Sequence, residues 1–197
     1  MEIKKILFDE TKNWNAFRSG DRSCFSLIYE KYFNGLYNYG GKFSRDTEFI
    51  EDCIQDLFVK LWQNRENINE TQSVKNYLYK SLRNTIFSRL NKPENLDIND
   101  ESIDELQFDL ELSPEAFLIE NEHSLEMKLK LEKAITQLTN RQREAIFLRF
   151  FEELSYEEVS KLMQITVKAL YKIIARALES LRDFFKIILL FFLVIQD

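Results

Sequence analysis

Apolar residues recur every three or four positions from about Trp14 to Leu90, and again from Glu115 to Arg182. That is the period of an amphipathic helix, not the two-residue alternation of a strand. In the first stretch, "CFSLIYEKYFNGLYNYGGKF" predicts a helix over Cys24–Phe43, weakened at Gly35 and at Gly40–Gly41. "DTEFIEDCIQDLFVKLWQNRE" opens on Asp46 as an N-cap and sets Ile50, Ile54, Leu57 and Leu61 along one stripe. The polar connector "NINETQS" then leads to a third helix, "VKNYLYKSLRNTIFSRL". From Pro93 to Pro114 the period is lost, and the acidic run "PENLDINDESIDELQFDLELSP" reads as a linker. Beyond it, Leu131, Ile135 and Leu138 form a stripe, and Thr139 is placed to cap "NRQREAIFLRFF". Ser155 and Glu158 make an S-x-x-E capping box. A break near Gln164–Thr166 precedes the last helix, which Thr166 caps.

Composition sharpens this into an all-α expectation. Four Gly and two Pro in 197 residues suit long helices with few tight turns. The length allows one or two small domains with real cores. Cys24 and Cys53 sit in apolar helical patterns without metal or redox spacing, which predicts reduced core thiols. The opening "MEIKKILFDETKNW" has an apolar run too short for a secretory signal, which predicts a cytoplasmic chain.

The net charge of −6 argues against nucleic acid only when taken as one number. By segment it is +2 over residues 1–91, −10 over 92–132, +3 over 133–182 and −1 over the remainder. The acidity belongs to the middle. Val74–Lys92 holds five basic residues and no acid, the asymmetry of a segmented nucleic-acid binder.

Helical geometry then poses a question about "ELSYEEVSKLMQITVKALYKIIARALESLR". From Val167 onward, Val167, Leu170, Ile174, Ala177, Leu178 and Leu181 fall on one side of a wheel. Lys168, Lys172 and Arg176, at i, i+4 and i+8, fall on the other with Tyr171 beside them. A recognition helix needs such an exposed cationic face, because base edges and phosphates meet it. A solvated lysine face on a core helix has the same pattern, and periodicity alone leaves both readings open.

The stretch "LTNRQREAIFLRFFEELSYEEVSKLMQITVKALYKIIARALESLR" resembles the C-terminal promoter-binding domain of the sigma-70 family, in its extracytoplasmic-function group. Leu138, Arg143, Glu144, Phe147, Leu148, Arg149, Leu154–Glu158, Ile165, Arg176–Leu178 and Leu181–Arg182 stand where that family has them. Two departures matter. Gln164 replaces the turn glycine, a residue less at ease in a left-handed conformation. "ALYKI" over Ala169–Ile173 replaces the usual recognition sequence, which implies a different promoter preference. In the first half, Asp52, Gln55, Asp56, Phe58 and Trp62 match one motif of the family's other domain. Tyr77, Leu78, Tyr79, Arg83 and Asn84 match a second, with Tyr77 where the family usually has Trp. The two matches cover about three quarters of the chain, in order, across a linker of the expected kind.

The resemblance implies two small helical domains joined by an acidic linker, the second a helix-turn-helix of the winged-helix-like, sigma region 4 type. The expected boundaries are 14–92 for the first, 93–114 for the linker, 115–183 for the second and 184–197 for an apolar tail. It implies that Asp52, Gln55, Asp56 and Val59 dock on bacterial core RNA polymerase. Carboxylates there would pair with cations on that partner. The loop Asn67–Ser73 and the helix after it would face the −10 element of promoter DNA. Asn69, Thr71 and Gln72 would read an extruded base, with Lys75, Lys80, Arg83 and Asn84 on the strand; Arg89 and Lys92 add charge. Lys168, Tyr171, Lys172 and Arg176 would read the −35 element in the major groove, with Arg141, Arg143 and Arg149 on phosphates. An anti-sigma factor is a further partner such a chain would take.

No catalytic constellation competes with this reading. His123 is the sole histidine, and neither a metal-ligand cluster nor a glycine-rich phosphate loop is present, so no cofactor and no small-molecule substrate are expected. The tail "FFKIILLFFLVI", Phe184–Ile195, is shorter than the roughly 20 apolar residues of a membrane span. It is expected to extend the last helix and pack within the chain or on a partner. A polymerase-independent helix-turn-helix regulator is the alternative function, but it leaves the Asp52/Gln55/Asp56 face unexplained. A membrane-linked helical adaptor is a third.

Overall fold

The structure, a computed structural model, describes residues 9–69, 71, 73–90, 107–110 and 131–195, with side chains to Arg182. The chain divides into two compact units between Leu96 and Asp97. Among the described residues there is no strand.

The first unit holds α1 (Glu10–Arg18), α2 (Arg22–Gly40), α3 (Thr47–Gln63), a short 3-10 turn (Arg65–Asn67) and α4 (Val74–Leu90). Asp9, Asp21 and Asp46 cap the first three. Each carboxylate accepts a backbone N–H of the first turn: Lys12 at 2.9 Å, Ser23 at 2.8 Å and Phe49 at 3.0 Å. Helix α2 is packed by α1, α3 and α4, and α3 also packs on α4. The expected stripe is realised: Ile50, Ile54, Leu57 and Leu61 are all buried, as are Ile28 and Leu36 of α2 and Leu78 and Leu82 of α4. The helix predicted over Cys24–Phe43 starts two residues earlier and ends at Gly40, running unbroken through Gly35. Both glycines are there for close approach. A Cβ on Gly35 would lie 2.5 Å from the Tyr79 hydroxyl, and one on Gly40 2.8 Å from Ile50. Cys53 is a core thiol, whereas Cys24 is only half-buried.

The second unit contains a helical segment over residues 131–136 (α5), α6 (Asn140–Ile146), a π-helical turn (Phe147–Phe151), α7 (Tyr156–Leu162) and α8 (Val167–Ile195). Both capping boxes form: Thr139 with Gln142, and Ser155 with Glu158. The Thr166 hydroxyl accepts the Ala169 N–H at 3.1 Å, the cap expected for α8. The helix expected over "NRQREAIFLRFF" is divided. Its second half widens into the π turn, and the Glu152 N–H donates to the Phe147 carbonyl at 3.0 Å. Leu178, placed on the core side by the wheel, is instead 46% exposed, while Leu170, Ile174, Ala177 and Leu181 are buried.

The linker expected over 93–114 lies mostly outside the described residues, as do residues 115–130 with His123. Residues 107–110 are described and are anchored in the second unit. Phe108 is 1% exposed and packs edge-on to Phe147, their ring centroids 5.8 Å apart. The backbone of α8 continues through Ile195. Among the described residues no helix is long and apolar enough to cross a membrane.

Candidate nucleic-acid and protein interfaces

Helix α8 follows α7 across a tight turn. Gln164 adopts φ +57° there, the left-handed conformation that a glycine would take without strain. A second such residue, Glu153 at φ +56°, precedes α7. The turn sets Leu170, Ile174 and Ala177 inward against α6 and α7, so Lys168, Tyr171, Lys172 and Arg176 face outward and are exposed. None of the three cations pairs with an acid among the described residues. Tyr171 is 53% exposed but not loose. Its ring stacks on Tyr156, centroids 4.3 Å apart and planes 18° from parallel, and the Arg149 guanidinium lies 5.1 Å from the other ring. Tyr156 lies in the matched stretch Leu154–Glu158 but was given no role by sequence. Its position at the start of α7, fifteen residues from Tyr171, gives no periodic signal.

The arginines of α6 and the π turn separate in role. Arg141 is half-buried and shares a groove with Ala169, Ile173 and Arg176, so it adds to the cationic face of α8. Arg143, expected on phosphate, is engaged internally. Its guanidinium donates to the carbonyls of Ile135 at 3.1 Å, Thr136 at 3.2 Å and Phe108 at 3.2 Å. The first two are carbonyls at the end of α5, that of Ile135 also accepting the Leu138 N–H at 3.0 Å, and the third anchors the 107–110 segment. Arg149 likewise turns inward, donating to the Leu154 carbonyl at 3.4 Å.

In the first unit, α3 presents Asp52, Gln55 and Val59 to solvent, Val59 at 47%. Asp56 is half-exposed and ion-paired with Arg89 of α4, so it ties two helices together. That pair raises the Arg89 pKa, chiefly through the Asp56 hydrogen bond. Beside Gln55 and Val59 lies an apolar groove between α2 and α3, lined by Phe25, Tyr29, Phe33, Phe58 and Trp62. The aromatics of α2 in it were missed by sequence, because alternation along a helix does not tell core aromatics from groove aromatics.

The residues expected at the −10 element are only partly presented. Asn69, Lys80 and Asn84 are exposed, and Lys75 is half-buried with its ammonium 5.5 Å from the Tyr79 ring. Thr71 folds back on Ser73, donating to its carbonyl at 3.1 Å, and Gln72 lies outside the described residues. Arg83 is a correction. It is 2% exposed, with its guanidinium 4.1 Å from the Phe87 ring centroid, and cannot reach a strand. Tyr79 is core, stacked on Tyr39 at 5.2 Å. Tyr77 is half-buried and edge-on to Trp14 at 5.3 Å, and burial raises the pKa of its hydroxyl.

Two groups of residues are thus held on two helical units: an exposed acidic and apolar face on α3, and a cationic face on the last helix of a helix-turn-helix. The description "Sigma-70 region 2" matches residues 28–94, and "Sigma-70, region 4" matches residues 128–181, together more than half the chain. The chain belongs to the sigma-70 family, in its extracytoplasmic-function group. It is similar to the RNA polymerase sigma-H factor of Pseudomonas aeruginosa, 27% identical over 170 residues that cover 82% of this chain and 86% of that one. It is also similar to the ECF RNA polymerase sigma factor SigM of Bacillus subtilis, 26% identical over 156 residues, covering 79% and 91%. Among solved structures, CnrH in complex with the cytosolic domain of CnrY shares the fold at a TM-score of 0.59. The identity is 16%, and the match covers 89% of this chain and 96% of CnrH. The Bartonella quintana sigma factor RpoE, in complex with the anti-sigma factor NepR, matches at a TM-score of 0.56 and 22% identity, covering 82% and 96%.

Proposed function

We propose that this chain binds bacterial core RNA polymerase and directs it to promoters, as a cytoplasmic, non-catalytic specificity subunit. The observation that carries this reading is the occurrence, in one chain, of an uncapped acidic and apolar face on α3 and an unpaired cationic face on α8. A polymerase-independent regulator has use for the second face only. Asp52, Gln55 and Val59, with the groove of Tyr29, Phe58 and Trp62, form the polymerase-docking surface; Asp56 contributes from its ion pair. The loop after α3 and the start of α4 meet the −10 element through Asn69, Thr71, Gln72, Lys75, Lys80 and Asn84. Lys168, Tyr171, Lys172 and Arg176, with Arg141, meet the −35 element. An anti-sigma factor is the regulatory partner that this role brings with it.

Charge reversal tests the docking face. Asp52 is exposed, and its charge supports Arg89 only as the last of several contributions, so Asp52→Lys should leave the fold intact. Its affinity for core polymerase is expected to fall about tenfold, as for a charge removed from a complementary interface. Undiminished affinity in a variant with unchanged helical content would contradict the assignment.

A further inference from the structure

We propose that α1, a helix lying before the matched region that begins at residue 28, positions the loop between the 3-10 turn and α4 and thereby sets its base selectivity. Glu10, Trp14 and Arg18 are the positioning residues. The proposal rests on the reading that this loop faces the −10 element.

The spacing of the three is i, i+4 and i+8, which lines them along one stripe of α1. Two of them end on the backbone of that short loop, and the third on the first two amides of α4, which follow it. The Arg18 Nε donates to the Ile68 carbonyl at 2.6 Å, and the Trp14 indole N–H makes a longer contact of 3.5 Å with the Asn69 carbonyl. At the far end of the loop the Glu10 carboxylate accepts the Val74 N–H at 2.7 Å and the Lys75 N–H at 3.3 Å. Glu10 therefore caps α4 from another helix, supplying an anion where the helix dipole favours one. Glu10 is itself held, since the Tyr32 hydroxyl bonds to it. Burial first, and then this carboxylate, push the Tyr32 pKa up. Trp14 is fixed by rings on two sides, Phe17 at 5.2 Å and Tyr77 at 5.3 Å.

Two consecutive carbonyls at the entry of the loop and two amides at its exit are thus tied to one rigid helix. The side chain of Asn69 stays exposed meanwhile. These bonds fix both ends of the loop relative to α1. Holding an extruded base demands a loop whose shape is fixed before DNA arrives, because ordering it afterwards lowers affinity and blurs discrimination. The hooks bond to backbone groups, so they act whatever side chains the loop carries. Sequence periodicity supplies no signal for this, since the three residues differ in type and two are polar.

The test uses the full chain with bacterial core polymerase and a promoter library randomised across both elements. Transcripts are sequenced to give base preference at each position. Arg18→Ala is expected to lower the preference at −10 positions about three- to tenfold, the worth of one or two hydrogen bonds in holding the loop. The −35 preference and core-polymerase affinity should stay unchanged. Arg18→Lys should restore part of the preference, and Trp14→Phe, which keeps the ring packing, should lower it about twofold. If Arg18→Ala does not fold, Trp14→Phe carries the test. The proposal is overturned if these variants depress transcription evenly across all −10 sequences while Asn69→Ala or Thr71→Ala changes the preference. If neither loop variant changes the preference, the −10 role of the loop fails, and the role of α1 fails with it.

Discussion

Two basic helices in this chain look alike in sequence and differ in what they do with their charge. Helix α4 carries Lys75, Lys80, Arg83 and Arg89; α8 carries Lys168, Lys172 and Arg176 before its last turns. On α8 the cations recur every fourth residue, so they share one face, and the core claims the opposite one. On α4 the spacings are uneven and the charges are spread around the helix. The core then takes Arg83, Asp56 takes Arg89, and the Tyr79 ring shields Lys75, leaving Lys80 exposed. Counting charges along a segment measures how basic it is. Their angular register decides how much of that charge a strand of DNA can meet.

The largest expected effect follows from the buried member of α4. Arg83→Ala should cost about 3 kcal/mol of stability, because it empties a buried site and strands the partners of a guanidinium. Chemical denaturation measures it, and the folded fraction should bind promoter DNA normally. Intact stability with lost DNA binding would return Arg83 to the interface and erase the contrast between the helices. On α8 the pattern should reverse: Lys172→Ala and Arg176→Ala should each leave stability within about 0.5 kcal/mol. Promoter binding should weaken by about 1–3 kcal/mol if the residue reads a base. If it meets only phosphate, the salt slope should fall by about one unit, evenly across sequences. Titration against −35 variants at two salt concentrations distinguishes these outcomes.

The same division runs through α6. Arg143→Ala should lose about 1–2 kcal/mol of stability, since three carbonyls lose a charged donor. Arg141→Ala should instead lower the salt slope of promoter binding, and equal behaviour of the two would break the distinction. The smallest effect concerns the turns that present α8. Glu153→Gly and Gln164→Gly should each stabilise by about 0.5–1 kcal/mol, by relieving a left-handed residue, with promoter preference unchanged. Thermal unfolding reads the gain.

Much of the fold was legible because its signals are local. Asp46, Thr139, Ser155 and Thr166 cap the helices they were expected to cap, and the Ile50/Ile54/Leu57/Leu61 stripe faces the core. The left-handed turn at Gln164 was legible as a missing glycine, whereas helical periodicity carries no signal for the one at Glu153. What stayed hidden depends on partners distant in sequence. Arg83 and Arg143 carry a charge that reads as surface until Phe87 and the carbonyls of Ile135, Thr136 and Phe108 are seen around them. Phe108 and Leu110 sit in an acidic run whose composition says linker, yet both are buried. Leu178 erred in the other direction, since a wheel assigns a side without knowing where the packing partners end.

The central claim is that the α3 face and the α8 face serve one event, polymerase-dependent promoter recognition. Run-off transcription on the randomised promoter library, with core polymerase and with or without this chain, tests it most directly. The account predicts discrete, sequence-selected start sites that require both the chain and the polymerase, and that are lost with Asp52→Lys and re-weighted at −35 positions with Arg176→Ala. Sequence-selective DNA binding at full strength without polymerase, and no selected transcripts with it, would contradict the account and leave a free-standing regulator in its place.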